Sequence, residues 1–343
     1  MTLHRTLALA AASATLLLSG CVAGEGSAAT QPATGTGDAE WSSDTLDIDF
    51  ATYNPLSLII KDQGWLEAEL GDDVTVTWVQ SAGSNKANEA LRAGAIDVGS
   101  TAGSAALLAK SNGSPIQAID VYSQPNWSAI LVPAGSAITE VADLKGKSIA
   151  ATKGTDPYFF LLQSLEAAGL TLDDVDVQNL QHADGKASLE SGNVDAWAGL
   201  DPLLSTSVAA AGSQIIYENI EFNSYGFLNG TDDFIQNHPD LAQLVVNAYE
   251  KAREWATANP EETATILAEI AGIGAEIATT TLVERTNLDV DPAPGDDQRD
   301  VLEVIGPILV QSGDVPSQDL IDAALDSLFE PSFAENADPD AIG

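Results

Sequence analysis

Between Leu46 and Tyr217, segments with the two-residue period of a strand take turns with segments of helical spacing. This alternation restricts the chain to a small set of folds. Strands are expected at 46–50, 74–79, 96–99, 116–122, 129–132, 148–151, 175–179, 196–199 and 214–217. Helices are expected at 55–70, 85–93, 102–110, 156–168, 183–191 and 202–211, with a helical turn at 141–144. After Phe227 the pattern turns helical, at 239–258, 260–270, 275–283, 297–312 and 317–328. Strand–helix alternation builds mostly parallel sheets with helices on both faces. It runs in two blocks, 46–130 and 133–220, and 343 residues suffice for two domains. The predicted class is α/β with two lobes, and a ligand would lie outside the carboxyl ends of the strands.

Ahead of the first block, Arg5 and an Ala/Leu-rich run, 7–18, lead to the string Leu18-Ser19-Gly20-Cys21, which holds the only cysteine. Residues 1–20 have the layout of a secretory signal. The string resembles the bacterial lipoprotein lipobox, which implies cleavage before Cys21 and lipid on its thiol. Residues 21–45, rich in Gly, Ser, Ala and Thr, read as a flexible tether. Without a second cysteine no internal disulfide is possible, so burial must supply the stability. After residue 21 no apolar run is long enough to cross a bilayer. The expected location is therefore the extracytoplasmic face of the cell membrane, on a lipid anchor, at the surface of a Gram-positive-type bacterium.

The chain carries 51 acidic and 13 basic residues, a net charge of −38. Such a surface repels nucleic acid and favours a soluble monomer. It also makes each cation conspicuous. Of five arginines one, Arg5, lies in the leader.

Three strings stand out: 91–101 (Leu-Arg-Ala-Gly-Ala-Ile-Asp-Val-Gly-Ser-Thr), 141–155 (Val-Ala-Asp-Leu-Lys-Gly-Lys-Ser-Ile-Ala, then Lys153-Gly154-Thr155) and 191–202 (Ser-Gly-Asn-Val-Asp-Ala-Trp-Ala-Gly-Leu-Asp-Pro). In this order and spacing the chain resembles the periplasmic-type substrate-binding proteins of the aliphatic sulfonate, taurine and nitrate importers, over about 46–330. The resemblance implies a type II periplasmic-binding-protein fold that closes on its ligand by hinge motion. Lobe 1 would be 46–130 plus 225–330 and lobe 2 would be 131–224, with crossovers near Ile130–Val132 and Phe222–Tyr225. It implies a small organic anion as ligand, foremost an aliphatic sulfonate, and an ABC permease with its ATPase as partners. It implies no cofactor.

Candidate binding residues follow from chemistry and from the resemblance together. Ser81 and Gly83, Ser100 and Thr101, and Thr155 lie where strands lead into helices, whose unpaired N–H groups attract anions. Every α/β protein needs caps and tight turns at such places. Arg285 can grip an oxyanion through two donors, and the resemblance sets it near the cleft; a pairing with a nearby acid competes with this role. Tyr53, with its neighbour Asn54, follows the first strand, and Trp127 and Tyr158 offer apolar walls. Trp65 and Trp197 read as core. The family often has Gly-Ser-Ser or Gly-Thr-Ser where this chain has Gly154-Thr155-Asp156-Pro157. Asp156 is placed as an N-cap, with Pro157 in the first turn. As a cap it would occupy the N–H groups that an anion wants and add a negative charge; either the oxyanion is then held mainly by lobe 1 and Arg285, or Asp156 or Asp201 pairs with an amino group, as a zwitterion such as taurine would require. Nitrate and a thiamine-pyrimidine-like heterocycle are further ligand alternatives.

An enzyme of the pyrimidine-synthesis type is the rival class. Its cysteine-rich segment is missing, and His182 and His238 read as caps or surface residues. No nucleophile triad, metal spacing or phosphate loop is present. A surface sensor of the same fold is the other alternative.

Overall fold

A computed structural model describes residues 41–343. The leader, Cys21 and most of the tether lie outside the described residues.

The first sheet contains β1 (Thr45–Phe50), β2 (Thr75–Gln80), β3 (Val98–Ala102), β4 (Ile116–Ser123) and, from much later in the chain, β10 (Gly226–Thr231). The second contains β5 (Ser128–Val132), β6 (Ser148–Ala151), β7 (Asp176–Asn179), β8 (Ala196–Leu200) and β9 (Gln214–Tyr217). Their orders are β2-β1-β3-β10-β4 and β7-β6-β8-β5-β9. In each sheet the fourth strand runs antiparallel to both neighbours: β10 against β3 and β4, β5 against β8 and β9. The sheets are thus mixed, and each lobe takes its one reversed strand from the chain that has just crossed over.

Around the first sheet lie α1 (Pro55–Gln63), α2 (Trp65–Leu70), α3 (Ser84–Ala93) and α4 (Gly103–Ser111). Around the second lie α5 (Asp156–Ala167), α6 (His182–Glu190) and α7 (Leu203–Ala211). The C-terminal third supplies α8 (Asp232–Asn237), α9 (Pro239–Ala258), α10 (Pro260–Ala271), α11 (Ala275–Arg285), α12 (Asp296–Gln311), α13 (Gln318–Leu325) and α14 (Ser332–Glu335).

Three departures from the sequence reading have local causes. The expected helix 55–70 is two helices, because Gly64 takes the left-handed conformation (φ 63°) and ends α1 with its N–H on the Ile60 carbonyl. The crossover expected at Ile130–Val132 lies inside β5; the chain instead crosses at 124–127, so 128–130 belong to the second sheet. Strand β10 was not expected. It is buried on both faces, so Gly226-Phe227-Leu228-Asn229-Gly230 shows no alternation.

One apolar cluster joins Leu107 of α4, Phe159 and Leu161 of α5, Phe227 of β10 and Leu302, Ile305 and Leu309 of α12. Side chains from both lobes share this packing, and α12 lies against α4 as well as α5. At Gly226 a Cβ would stand 2.4 Å from the Tyr122 ring. Gly226→Ala is therefore expected to destabilise the chain by about 1–3 kcal/mol, as overpacking in a filled core does. An equilibrium urea titration checks this, and Tyr122→Leu in the same chain should recover part of the loss.

Candidate functional site

The carboxyl ends of β1, β3 and β4 face those of β6 and β8 across the interlobe cleft, and the polar side chains there bond directly across it. Asp156 shows how. Thr155 holds the N-cap position of α5 with extended backbone (φ −130°, ψ 160°) and makes no side-chain cap bond. Asp156 is the first helical residue, so the expected cap is corrected: its carboxylate leaves its own helix. Oδ1 accepts from the Ser104 hydroxyl at 2.5 Å and the Ser224 hydroxyl at 2.7 Å. Oδ2 accepts from Trp127 Nε1 at 2.7 Å and the Ser224 N–H at 2.9 Å. Ser104 belongs to lobe 1, and Trp127 and Ser224 lie one in each crossover. Burial pushes the Asp156 carboxyl above its ordinary pKa, while Ser104, Ser224 and Trp127 pull it back.

A second carboxylate, Asp201, follows β8. It accepts from Ser205 N–H at 2.9 Å and Ser205 Oγ at 2.6 Å. It is also bound by Nε of Arg285, the last residue of α11. Arg285 Nη1 reaches Glu218 at 3.0 Å, and Nη2 is buried without a partner. Burial raises the Asp201 carboxyl, with Arg285 and Ser205 opposing. Burial works against the Arg285 charge, but Asp201 and Glu218 hold its pKa above the ordinary value. Arg285 thus pairs with acids, Asp201 and Glu218, as the competing reading expected, and its Nη2 nitrogen stays uncommitted.

Between these clusters the rings of Tyr53 and Trp127 meet edge to face at 6.0 Å. With Pro125, Asp201, Thr281 and Thr286 they line a cavity of about 10 Å³, room for a single water while the lobes are closed. The Tyr53 hydroxyl donates to the Ser100 carbonyl at 2.9 Å. Asn54 is spent elsewhere, capping α1 at Ser57 N–H and donating to Tyr249. Ser100 gives both its N–H (2.8 Å) and hydroxyl (2.9 Å) to Asp49, and Ser81 lies beside the same carboxyl. Thr101 accepts from Asn229 at 2.9 Å, and Thr155 donates to the Thr152 carbonyl at 2.7 Å. Tyr158 turns away from the Tyr53–Trp127 cavity into the apolar cluster around α12.

Several groups in the cleft were not singled out in the sequence. Asp49 looked like one polar position of an alternating strand; Ser104 and Ser224 gave no signal apart from their places at a helix start and a crossover. His182 is corrected from cap or surface to buried. Its Nδ1 meets Thr152 Oγ1 at 3.2 Å, and Nε2 would lie 3.0 Å from a Cβ at Gly83, across the cleft. Burial pushes its pKa down to about 4, so it is neutral at pH 7. The extended Gly83 leaves room for this ring, which a side chain there would crowd.

Burial pushes the Asp49 carboxyl up to about 6. The native state then binds a proton that the unfolded chain releases earlier, so this contribution to stability is present at low pH and lost as pH rises toward 6. Asp49→Asn is expected to be more stable than wild type at pH 7, by up to roughly 2–3 kcal/mol, with the gain vanishing near pH 4. Urea midpoints at pH 4 and pH 7 decide it.

The model of the family described as NMT1/THI5 like matches residues 58–263. The chain is 28% identical over 256 residues to a protein of Escherichia coli (strain K12) named as an aliphatic sulfonates-binding protein, covering 74% of this chain and 80% of that one. A protein of the same name from Bacillus subtilis (strain 168) is 30% identical over 236 residues, covering 67% and 70%. Among solved structures, the alkanesulfonate-binding protein SsuA from Xanthomonas axonopodis pv. citri bound to MOPS is similar with TM-score 0.74 and 25% identity, covering 82% and 98%. The desulfurization enzyme DSZB, at 17% identity and TM-score 0.61 over 86% of this chain and 98% of its own, shares the fold alone. The relatives from Escherichia coli and Bacillus subtilis are both named as binding proteins.

Proposed function

The chain belongs to the NMT1/THI5-like family, and from that premise we propose that it is the extracytoplasmic solute-binding component of an ABC importer, with aliphatic sulfonates as its ligand class. The observation that carries the reading is Arg285: a buried cation in the cleft with Nη2 uncommitted, held on Asp201, which lines the small closed cavity of Tyr53 and Trp127 that opening of the lobes would enlarge. A planar guanidinium can receive a sulfonate oxygen there while its other nitrogens stay on Asp201 and Glu218. Tyr53 and Trp127 would cover an alkyl chain, as apolar walls do in small-molecule sites. Ser81, Gly83, Ser100, Thr101, Thr155 and Asp201 would form the strand-end walls. Capture between lobes, closure and hand-off to the permease and its ATPase require no turnover.

The experiment is a thermal-shift screen against linear alkanesulfonates, taurine, nitrate and pyrimidines. A ligand at 100 times its Kd stabilises the folded state by about 2.7 kcal/mol. A shift with alkanesulfonates is expected; a shift with pyrimidines or nitrate and none with any sulfonate overturns the ligand class.

The anchor is part of the same reading. Among the described residues no helix is long and apolar enough to cross a membrane. Lipid on Cys21, followed by the 22–45 segment, would hold a monomeric binding protein near its permease. More than one acyl chain gives stable retention. Cys21→Ser is expected to move the protein from the membrane pellet to the soluble fraction, measured by fractionation and immunoblot.

A further inference from the structure

The donors around Asp156 make an oxyanion seat. Two N–H groups, Trp127 Nε1 and the Ser224 amide, and two hydroxyls, Ser104 and Ser224, converge on one carboxylate at 2.5–2.9 Å. They come from three separate segments, and no Lys or Arg contributes to them. Convergent neutral donors in a dry site are how proteins hold anions without spending a cation. Here the anion held is the chain's own. Asp156 is 1% exposed, and its four acceptor positions are filled. It belongs to lobe 2, and Ser104 to lobe 1, so the carboxylate also ties the lobes together.

We infer that Asp156 determines specificity by occupying this seat as a built-in anion. An incoming sulfonate head is then kept out by volume and by like charge in a low-dielectric site. The anionic group of the ligand is left to the other pole of the cleft, at Arg285. Trp127 separates the two poles: its Nε1 serves Asp156, and its ring faces Tyr53 and the cavity. Removing the carboxylate would leave four donors unspent and open a second anion position. This inference rests on the sulfonate reading and sharpens it.

The test is calorimetric titration of wild type, Asp156→Ser and Asp156→Asn with sodium ethanesulfonate, each variant first shown to be folded by its melting curve. Asp156→Ser is expected to bind at least tenfold tighter than wild type. Asp156→Asn should gain in the same direction but less, because its amide nitrogen turns N–H groups toward two of the donors. The Asn variant keeps the side-chain shape and serves if the Ser variant does not fold. Equal or weaker binding by a folded variant, with wild type binding measurably, overturns the role of Asp156 and leaves the sulfonate reading standing. Failure of wild type and both variants to bind any alkanesulfonate overturns both.

Discussion

Arg285→Ala is expected to cost the fold about 3–5 kcal/mol and to abolish any sulfonate-induced thermal shift. The size of the stability loss comes from Asp201. Its side chain is 3% exposed, and the Arg285 guanidinium is its charged partner; Ser205 supplies the remaining donors. Truncating the arginine strands a carboxylate away from water, which costs far more than an exposed pair would. The bond to Glu218 adds little, since that carboxylate is half exposed. A second substitution separates structure from binding. In the Arg285→Ala background, Asp201→Asn should recover most of the stability, because the neutral amide still accepts from Ser205 through its oxygen. It should not restore the sulfonate shift. Urea titrations give the first quantity and thermal shifts the second. A double variant that regained both would show that Arg285 acts only by neutralising Asp201.

The second large effect lies away from the cleft. Trp197→Ala is expected to destabilise by about 3–5 kcal/mol, as deletion of a fully buried large side chain does. Trp197 is 0% exposed in the middle of β8 and packs among Ala129, Leu131, Ala150, Leu189, Val194 and Leu204. Helix α6 reaches this ring through Gly185, where a Cβ would stand 2.8 Å from Trp197 Nε1. Gly185→Ala should therefore destabilise, although alanine is the better helix former in isolation. Trp197→Phe removes the obstructing nitrogen, so the double variant Gly185→Ala/Trp197→Phe should lose less than the two single losses added together. Strict additivity in urea titrations would show that the glycine is not there for the indole.

Much of the lobe architecture was legible because it rests on local periodicity. Ile48 and Leu46 alternate with Asp47 on β1, and this marks a strand with one face buried. Gly94 closes α3 in the left-handed conformation that glycine favours. Trp197 read as core because it stands in an apolar strand. Strand β10 escaped for the opposite reason: with both faces buried it has no period, and its neighbours β3 and β4 precede it by about a hundred residues. The crossover at 124–127 was misplaced because β5, although it follows β4 directly, pairs only with strands that come later, β8 and β9.

The site divides along the same line. Strand-to-helix junctions, with small and hydroxylated residues, were visible as places where donors gather. The sequence by itself determined that Asp156 stands at the start of a helix, that Arg285 is one of very few cations, and that Cys21 is the only thiol. Only the tertiary structure decided what the charges do. The partners of Asp156 lie 52, 29 and 68 residues away, and Asp201 lies 84 residues from Arg285. A cap bond is fixed by the backbone angles of the next few residues, so local sequence can suggest it. A carboxylate that leaves its own helix to bind two crossovers and the opposite lobe is placed by packing between distant segments, and burial then requires that its oxygens be met there.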